Sequence, residues 1–321
     1  MVGTKSNTCS PTFVGDLTDE AKHLINSALT PSTKASYQKT WQKLIEFLGH
    51  QQISLPLQLA QVANFIGNLF TKGLKPATIA SHISALSYVH KMLNIQDPTA
   101  LFIIRKALKG CENLTPSADA RLPITKAILD KMIINLPSVA RLHVQQLLLK
   151  TIFLVAFNGF FRLGELVVRS KQSIGRVLQR QDILFTWKKG ILKGVELTLW
   201  FFKNNKTNKP VTIFLSALPS SPRICPVNTL YAFVNTFKHN TGPLFQHTNG
   251  QYVSAHFVAE QMKKLITFIG LNPTQYKGHS FRIGAATNAA SLGYSEQLIQ
   301  KLGRWNSNAL QRYIRIESIR M

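Results

Sequence analysis

Acidic residues are scarce. The chain of 321 residues holds 14 Asp and Glu against 38 Lys and Arg, a formal net charge of +24 at pH 7. So little acid excludes a surface of balanced mixed charge and makes a polyanion the first partner to consider. The excess is spread along the chain rather than gathered on one amphipathic helix. That spread favours a nucleic acid wrapped by several elements over a membrane surface. Cysteine is nearly absent. Cys9, Cys111 and Cys225 stand alone, with no metal-ligand spacing and no disulfide framework, as in a reducing compartment. His239, His247 and His256 have no acids or cysteines converging on them, so no metal is assigned. Long apolar runs are missing as well. The most apolar, residues 147–161, is broken by Lys150 and Asn158 and is too short for a bilayer. Residues 1–13 lack the apolar stretch of a signal peptide. These absences predict a chain that is not secreted and has no membrane partner.

What is present is enough apolar side chain, 45% of residues, to build real cores. The length predicts two domains. Residues 1–16 are polar and turn-rich and read as a flexible N-terminus. Apolar positions at helical spacing predict helices over 17–29, then through Tyr37, Trp41, Leu44, Ile45 and Leu48 to Gly49. Further helices are predicted from Pro56 to Gly73, from Pro76 through Met92, and from Asp97-Pro98 to about Gly110. Residues 17–111 thus form a helical module. Its candidate phosphate contacts are Lys34 and Lys39 near a helix start, Lys72 and Lys75 at helix ends, and Arg105, Lys106 and Lys109 late in the module. Ordinary solubilising charge is the alternative for any one of them. Residues 112–122, polar and carrying Pro116, read as a linker, and 123–321 as a second domain.

In that second domain helices are predicted over 126–135 and 138–157. Alternation then takes over: Ile183, Phe185 and Trp187; Val195, Leu197 and Leu199; Val211, Ile213 and Leu215. This predicts three antiparallel strands, with a hairpin over 203–209 joining the last two. Helices follow over 226–237, 254–269, 280–292, 295–302 and 307–316. The fold class is mainly α with a small antiparallel β-sheet.

The densest chemistry lies in the last fifth. His279 and Arg282 are three apart on one helix face. Gly303-Arg304-Trp305 forms a turn, and Tyr313 comes one helix later. Cations, an indole donor and a phenol suit the binding of an oxyanion and its attack by tyrosine. Earlier, Arg162 leaves a long apolar helix with Glu165 one turn on, placed to brace a cation. The bland reading of that pair is an intrahelical contact worth tenths of a kcal/mol.

Together these spacings resemble the tyrosine recombinases, the phage-integrase family. The resemblance implies a helical core-binding domain followed by an α+β catalytic domain. It implies catalytic roles for Arg162, Lys206, His279, Arg282, Trp305 and Tyr313, with Glu165 in support. Lys206, followed by Thr207, matches the family's hairpin lysine best, and Lys203 is the runner-up. Lys203, Lys209 and Arg304 join the DNA-binding set. The activity implied is strand cleavage through a covalent 3′-phosphotyrosyl intermediate, with no metal or other cofactor. The partners implied are double-stranded DNA at specific sites and three further copies of the chain, a homo-tetramer on synapsed DNA. The run Gly278-His279-Ser280-Phe281-Arg282-Ile283-Gly284-Ala285-Ala286-Thr287 looks most like recombinases of eukaryotic mobile elements, the DIRS-like retrotransposons and Cryptons. That would place the protein in the nucleus, and otherwise in the cytoplasm or nucleoid. A type IB topoisomerase shares the chemistry, and a catalytically silent DNA-binding protein could share the fold.

Overall fold

The computed structural model describes residues 17–49, 53–115, 121–202, 205, 209–305, 310–311 and 313–315. The chain divides into two compact units, Met1–Asp119 and Ala120–Met321. The predicted flexible segment 1–16, residues 116–120 of the predicted linker, the lysines Lys203 and Lys206, and half of the predicted helix 307–316 lie outside the described residues.

The first unit is helical. Helix α1 (Asp19–Ser27) starts where the Thr18 side chain accepts from the Ala21 amide. Helix α2 (Pro31–Leu48) starts at Thr30, which accepts from the Thr33 amide, with Pro31 in the first turn. A hydroxyl cap followed by proline satisfies one orphan amide and avoids creating another. Gly49 at φ 78° ends α2, in the left-handed region that glycine enters freely. Helices α3 (Leu59–Thr71), α4 (Pro76–Met92) and α5 (Phe102–Leu114) complete the unit. Leu44, Val62, Phe65, Leu69, Ile79, Leu86 and Ile104 close its core.

Three predicted boundaries move. The helix expected from Pro56 begins at Leu59, because the Leu57 amide donates to buried His90 Nε2 at 3.0 Å and ties the chain to α4. The helix expected from Asp97 splits: a 3₁₀ turn over Pro98–Ala100 is held by Asp97, and α5 begins only after extended Leu101. Helix α5 then runs past Gly110 to Leu114, so the first residues assigned to the linker are helical. At the linker's other end, the Leu122 amide donates to the Gln275 carbonyl at 2.9 Å, and that of Ile124 to Ser280 at 3.0 Å. Those residues belong to the second unit.

The second unit is built around α7 (His143–Asn158), which buries an unbroken run from Thr151 to Phe157. It follows α6 (Lys126–Ile134), capped by Thr125, and a 3₁₀ turn over Leu136–Ser138. The single helix predicted over 138–157 is therefore this turn, a break, and α7. A four-residue helix, α8 (Leu163–Leu166), leaves the end of α7. Strands β1 (Ile183–Lys188), β2 (Ile191–Leu199) and β3 (Val211–Ser216) form an antiparallel sheet in the order β1-β2-β3. Phe185, Val195 and Leu215 share one register. Val195, Leu197, Leu199 and Leu215 join the main core with α9 (Pro226–Thr236) and α10 (Ala255–Phe268). Each such side chain contributes about 1.5–3 kcal/mol by leaving water. Last come α11 (Ser280–Ser291) and α12 (Glu296–Gly303). Gly284 lets α11 lie directly on the backbone of Ile124, where any Cβ would overlap the Ile124 carbonyl. Ala285, Ala286 and Ala289 of α11 pack against Phe160, Ile299, Trp305 and Leu310 in a separate small core. Among the described residues no helix is long and apolar enough to cross a membrane, and no group of three or more His, Cys, Asp or Glu could hold a metal ion.

Candidate active site

The turn between α7 and α8 is strained. Phe160 has φ 53°, a left-handed conformation that costs a non-glycine residue roughly 1–2 kcal/mol. Its carbonyl oxygen accepts from two guanidiniums, Arg282 Nη1 at 2.6 Å and Arg304 Nη2 at 3.2 Å. Charge-assisted hydrogen bonds of this kind offset the strain. Arg304 Nη1 also holds the Gly159 carbonyl at 3.1 Å, and Arg282 Nη2 holds that of Gly303. The α7–α8 turn is thereby fastened to the end of α12.

Arg162 follows this turn and opens α8. Its backbone amide donates to Glu165 Oε2 and its Nη1 to Glu165 Oε1, both at 2.9 Å. Glu165 Oε2 also accepts from Arg304 Nη2 at 2.9 Å. Burial works to raise the Glu165 carboxyl, but Arg304, Arg162 and Arg282 outweigh it and hold it below the ordinary value. Glu165 stays ionised as the counter-charge of the cluster.

Arg282 is fully buried. Burial, then Arg162, pushes its guanidinium down to about 9, so it is still protonated at neutral pH. Its Nε has no hydrogen-bond partner, and neither has the buried Nε1 of Trp305. The Trp305 ring centre lies 4.3 Å from Arg282 Cζ and that of Tyr313 5.8 Å. Tyr313 packs on Trp305 at 4.8 Å between centroids and stacks on His279 at 6.4 Å. Thr287 of α11 sets the Tyr313 backbone: its hydroxyl donates to the Tyr313 carbonyl at 3.2 Å and accepts from the Arg315 amide at 3.0 Å. Trp305 is seated against Gly303, where a Cβ would overlap the indole ring.

His279 sits at the start of α11. Burial pushes its pKa down to about 4, and Arg121, Arg162, Arg282 and Arg169 add to the shift. The ring is neutral at pH 7. It is not the second cation of the His–Arg pair that the spacing predicts, but an imidazole able to accept a proton.

The structure thus brings Arg162, Glu165, His279, Arg282, Trp305 and Tyr313 into one cluster. Arg304 overturns an expectation. Assigned to DNA from the sequence, it is buried, at 8% exposure, with its guanidinium spent on Gly159, Phe160 and Glu165. It also takes φ 56°, where glycine is favoured. The other DNA candidates that are described lie at the surface. Lys39, Lys72, Lys75, Arg105, Lys106, Lys109 and Lys209 are exposed, and Lys34 is half-buried. Lys109 pairs with Glu112 at 3.0 Å, and Lys106 lies over the Phe102 ring. Thr287 and Arg304 are the parts of the cluster whose roles sequence reading missed. The only local sign of the first was its place in the Gly278–Thr287 run.

No family model matches the chain. An integrase/recombinase XerD homologue of Selenomonas ruminantium is 23% identical over 309 residues, covering 92% of this chain and 84% of that protein. Among solved structures, the Tn1549 transposon integrase in complex with circular intermediate DNA matches at TM-score 0.57 and 13% identity. That match covers 94% of this chain and 96% of the integrase chain. A lambda integrase tetramer bound to a Holliday junction matches at TM-score 0.61 and 16% identity, covering 92% and 74%. The XerH recombinase in a post-cleavage complex with its difH substrate matches at 0.58 and 17%, covering 88% and 75%. The fold is the two-domain fold of the tyrosine recombinases.

Proposed function

We propose that the chain is a site-specific DNA recombinase that breaks and rejoins strands through a phosphotyrosine, using the cluster around Arg282 as its active site. The packing of Tyr313 against Arg282, Trp305 and His279 carries this reading. A phosphodiester repels a nucleophile by its charge; the cation of Arg162 lowers that barrier at the non-bridging oxygens, and that of Arg282, whose Nη atoms already donate to the Phe160 and Gly303 carbonyls, lowers it by its field. The Tyr313 ring centre lies 5.8 Å from Arg282 Cζ, beside the Trp305 ring at 4.3 Å. The Tyr313 oxygen then attacks phosphorus, its proton passing to neutral His279. The bond to the 5′-oxygen breaks, and that oxygen takes a proton from Lys206, or from Lys203, both in the segment of chain between β2 and β3. Trp305 Nε1, buried and unsatisfied, supplies a further donor to the phosphate. The phosphotyrosine keeps the energy of the bond, so the 5′-hydroxyl of another strand can reverse the step. Strand exchange in an assembly of four copies, and integration of a mobile element, are the finer reading. The transposon integrase and the junction-bound tetramer among the structural neighbours support it.

Incubation with pooled duplexes nicked so that the short fragment bearing the new 5′-hydroxyl is lost after cleavage tests the chemistry. The expected result is a denaturant-resistant protein–DNA adduct that Tyr313→Phe does not form. Binding without any adduct would leave a DNA-binding protein of the same fold.

A further inference from the structure

In the second unit, the 3₁₀ turn over Leu136–Ser138 stands between two hollows. One, of about 390 Å³, lies between that turn, the first half of α7 and Arg223. The other, of about 670 Å³, lies between the turn and the later part of α10. Large apolar side chains stand in water around both. Ile134 borders the first hollow and Phe268 the second, and Leu142 falls between Arg141 and His143, which line one each. These three are 59%, 57% and 64% exposed. Apolar side chains gathered in this way mark a contact with protein, since a phosphate backbone gives them nothing to bury against.

The charge around them narrows the partner. Lys150 and Arg223 line the first hollow and Arg141, Lys263 and Lys264 the second, against Glu260 as the one acid among the described lining residues. Lys150 interrupts the most apolar stretch of the sequence and is half-buried on α7. Burial, then the Arg223 cation, holds its ammonium below the ordinary value. Among the described residues no acid pairs with it. A carboxylate that arrives with apolar neighbours of its own satisfies such a cation and covers the walls formed by Ile133, Leu136 and Leu147. A second copy of this chain is a poor source of one. It has 14 acids in 321 residues, and its net charge of +24 repels its like.

We infer that the surface around Leu136–Ser138 docks an acidic segment of a different protein, whose carboxylates meet Lys150 and Arg223 while its aliphatic side chains cover Ile134 and fill the hollow beside it. The partner is recognised by acid and aliphatic groups together, and it takes a surface apart from the catalytic cluster.

The test titrates the full chain into a short fluorescent peptide of alternating leucine and glutamate pairs, read by anisotropy. One control peptide has serine for leucine, which keeps the charge. Another has glutamine for glutamate, which keeps the apolar side chains. The leucine–glutamate peptide is expected to bind saturably, and each control about tenfold more weakly. Ile134→Ser and Lys150→Gln should each weaken the first peptide about tenfold and leave DNA affinity as in the parent. Ile134 is exposed, so its variant tests the surface even if Lys150→Gln alters the melting curve. Equal binding of either control, or no saturable binding of the first peptide, would overturn the inference. A loss of DNA affinity in Ile134→Ser would assign the surface to DNA, and a change in its sedimentation would assign it to contact between copies. Either result would overturn the inference as well.

Discussion

Glu165 lies between Arg162 and Arg304, with one carboxylate oxygen 2.9 Å from each guanidinium. A single buried acid therefore sets the position of an arginine proposed to hold phosphate and of another that ties α12 to the α7–α8 turn. Removing its charge leaves two buried cations uncompensated. Glu165→Gln should destabilise the second unit by about 3–5 kcal/mol and cut adduct formation with it. Denaturant unfolding checks the first, and adduct yield well below the unfolding midpoint checks the second. Wild-type stability in this variant would mean that the bridge contributes nothing.

Arg304 offers a contrast between a cation that faces DNA and one that faces the protein. Arg304→Gln should lower stability and adduct yield while leaving the salt dependence of DNA binding as it was. Lys75→Gln, at an exposed helix start, should reduce the slope of log affinity against log salt by about one if that lysine meets a phosphate. The slopes come from binding titrations at several ionic strengths. A reduced slope for Arg304→Gln would restore it to the DNA surface.

Thr287 holds the backbone at the attacking phenol and just after it, through the Tyr313 carbonyl and the Arg315 amide. Thr287→Val keeps the shape and removes the hydroxyl, at roughly 1–3 kcal/mol for the Tyr313 carbonyl left unpaired. Adduct formation should slow by at least tenfold while DNA affinity stays unchanged. Equal loss of both would point to general damage rather than displacement of Tyr313.

The neutral state of His279 has a consequence for acid stability. Its folded pKa, about 4, lies below the ordinary value of 6.5. Between those values the unfolded chain binds a proton that the folded protein does not. Stability therefore falls as pH drops from 6.5 toward 4, and above 6.5 this contribution is flat. His279→Asn should show a shallower decline over that window in unfolding experiments. An unchanged decline would assign the acid sensitivity to other groups.

Much of the fold was legible because the signals are local. Thr18, Thr30, Thr125, Ser254 and Ser295 cap helices where the sequence places hydroxyls before apolar periodicity. Strict alternation marked the three strands. The breaks at Leu101 and before His143 were not legible, since tertiary contacts decide where those helices begin. The cluster itself was found through spacing, but the state of its members was not. The net charge made Arg304 look like one more DNA contact. Its true partners, Gly159, Phe160 and Glu165, lie far away in sequence, and only folding brings them to it. The charge of His279 depends in the same way on burial and on Arg121, Arg162 and Arg169, which are distant in sequence, as well as on nearby Arg282.

Peptide mapping of the trapped adduct is the most direct test. After nuclease and trypsin digestion, the nucleotide remnant should be found by mass spectrometry on Tyr313, in the peptide Tyr313-Ile314-Arg315. A remnant on any other tyrosine, or on no residue while cleavage proceeds, would contradict the assignment of Tyr313 as the nucleophile.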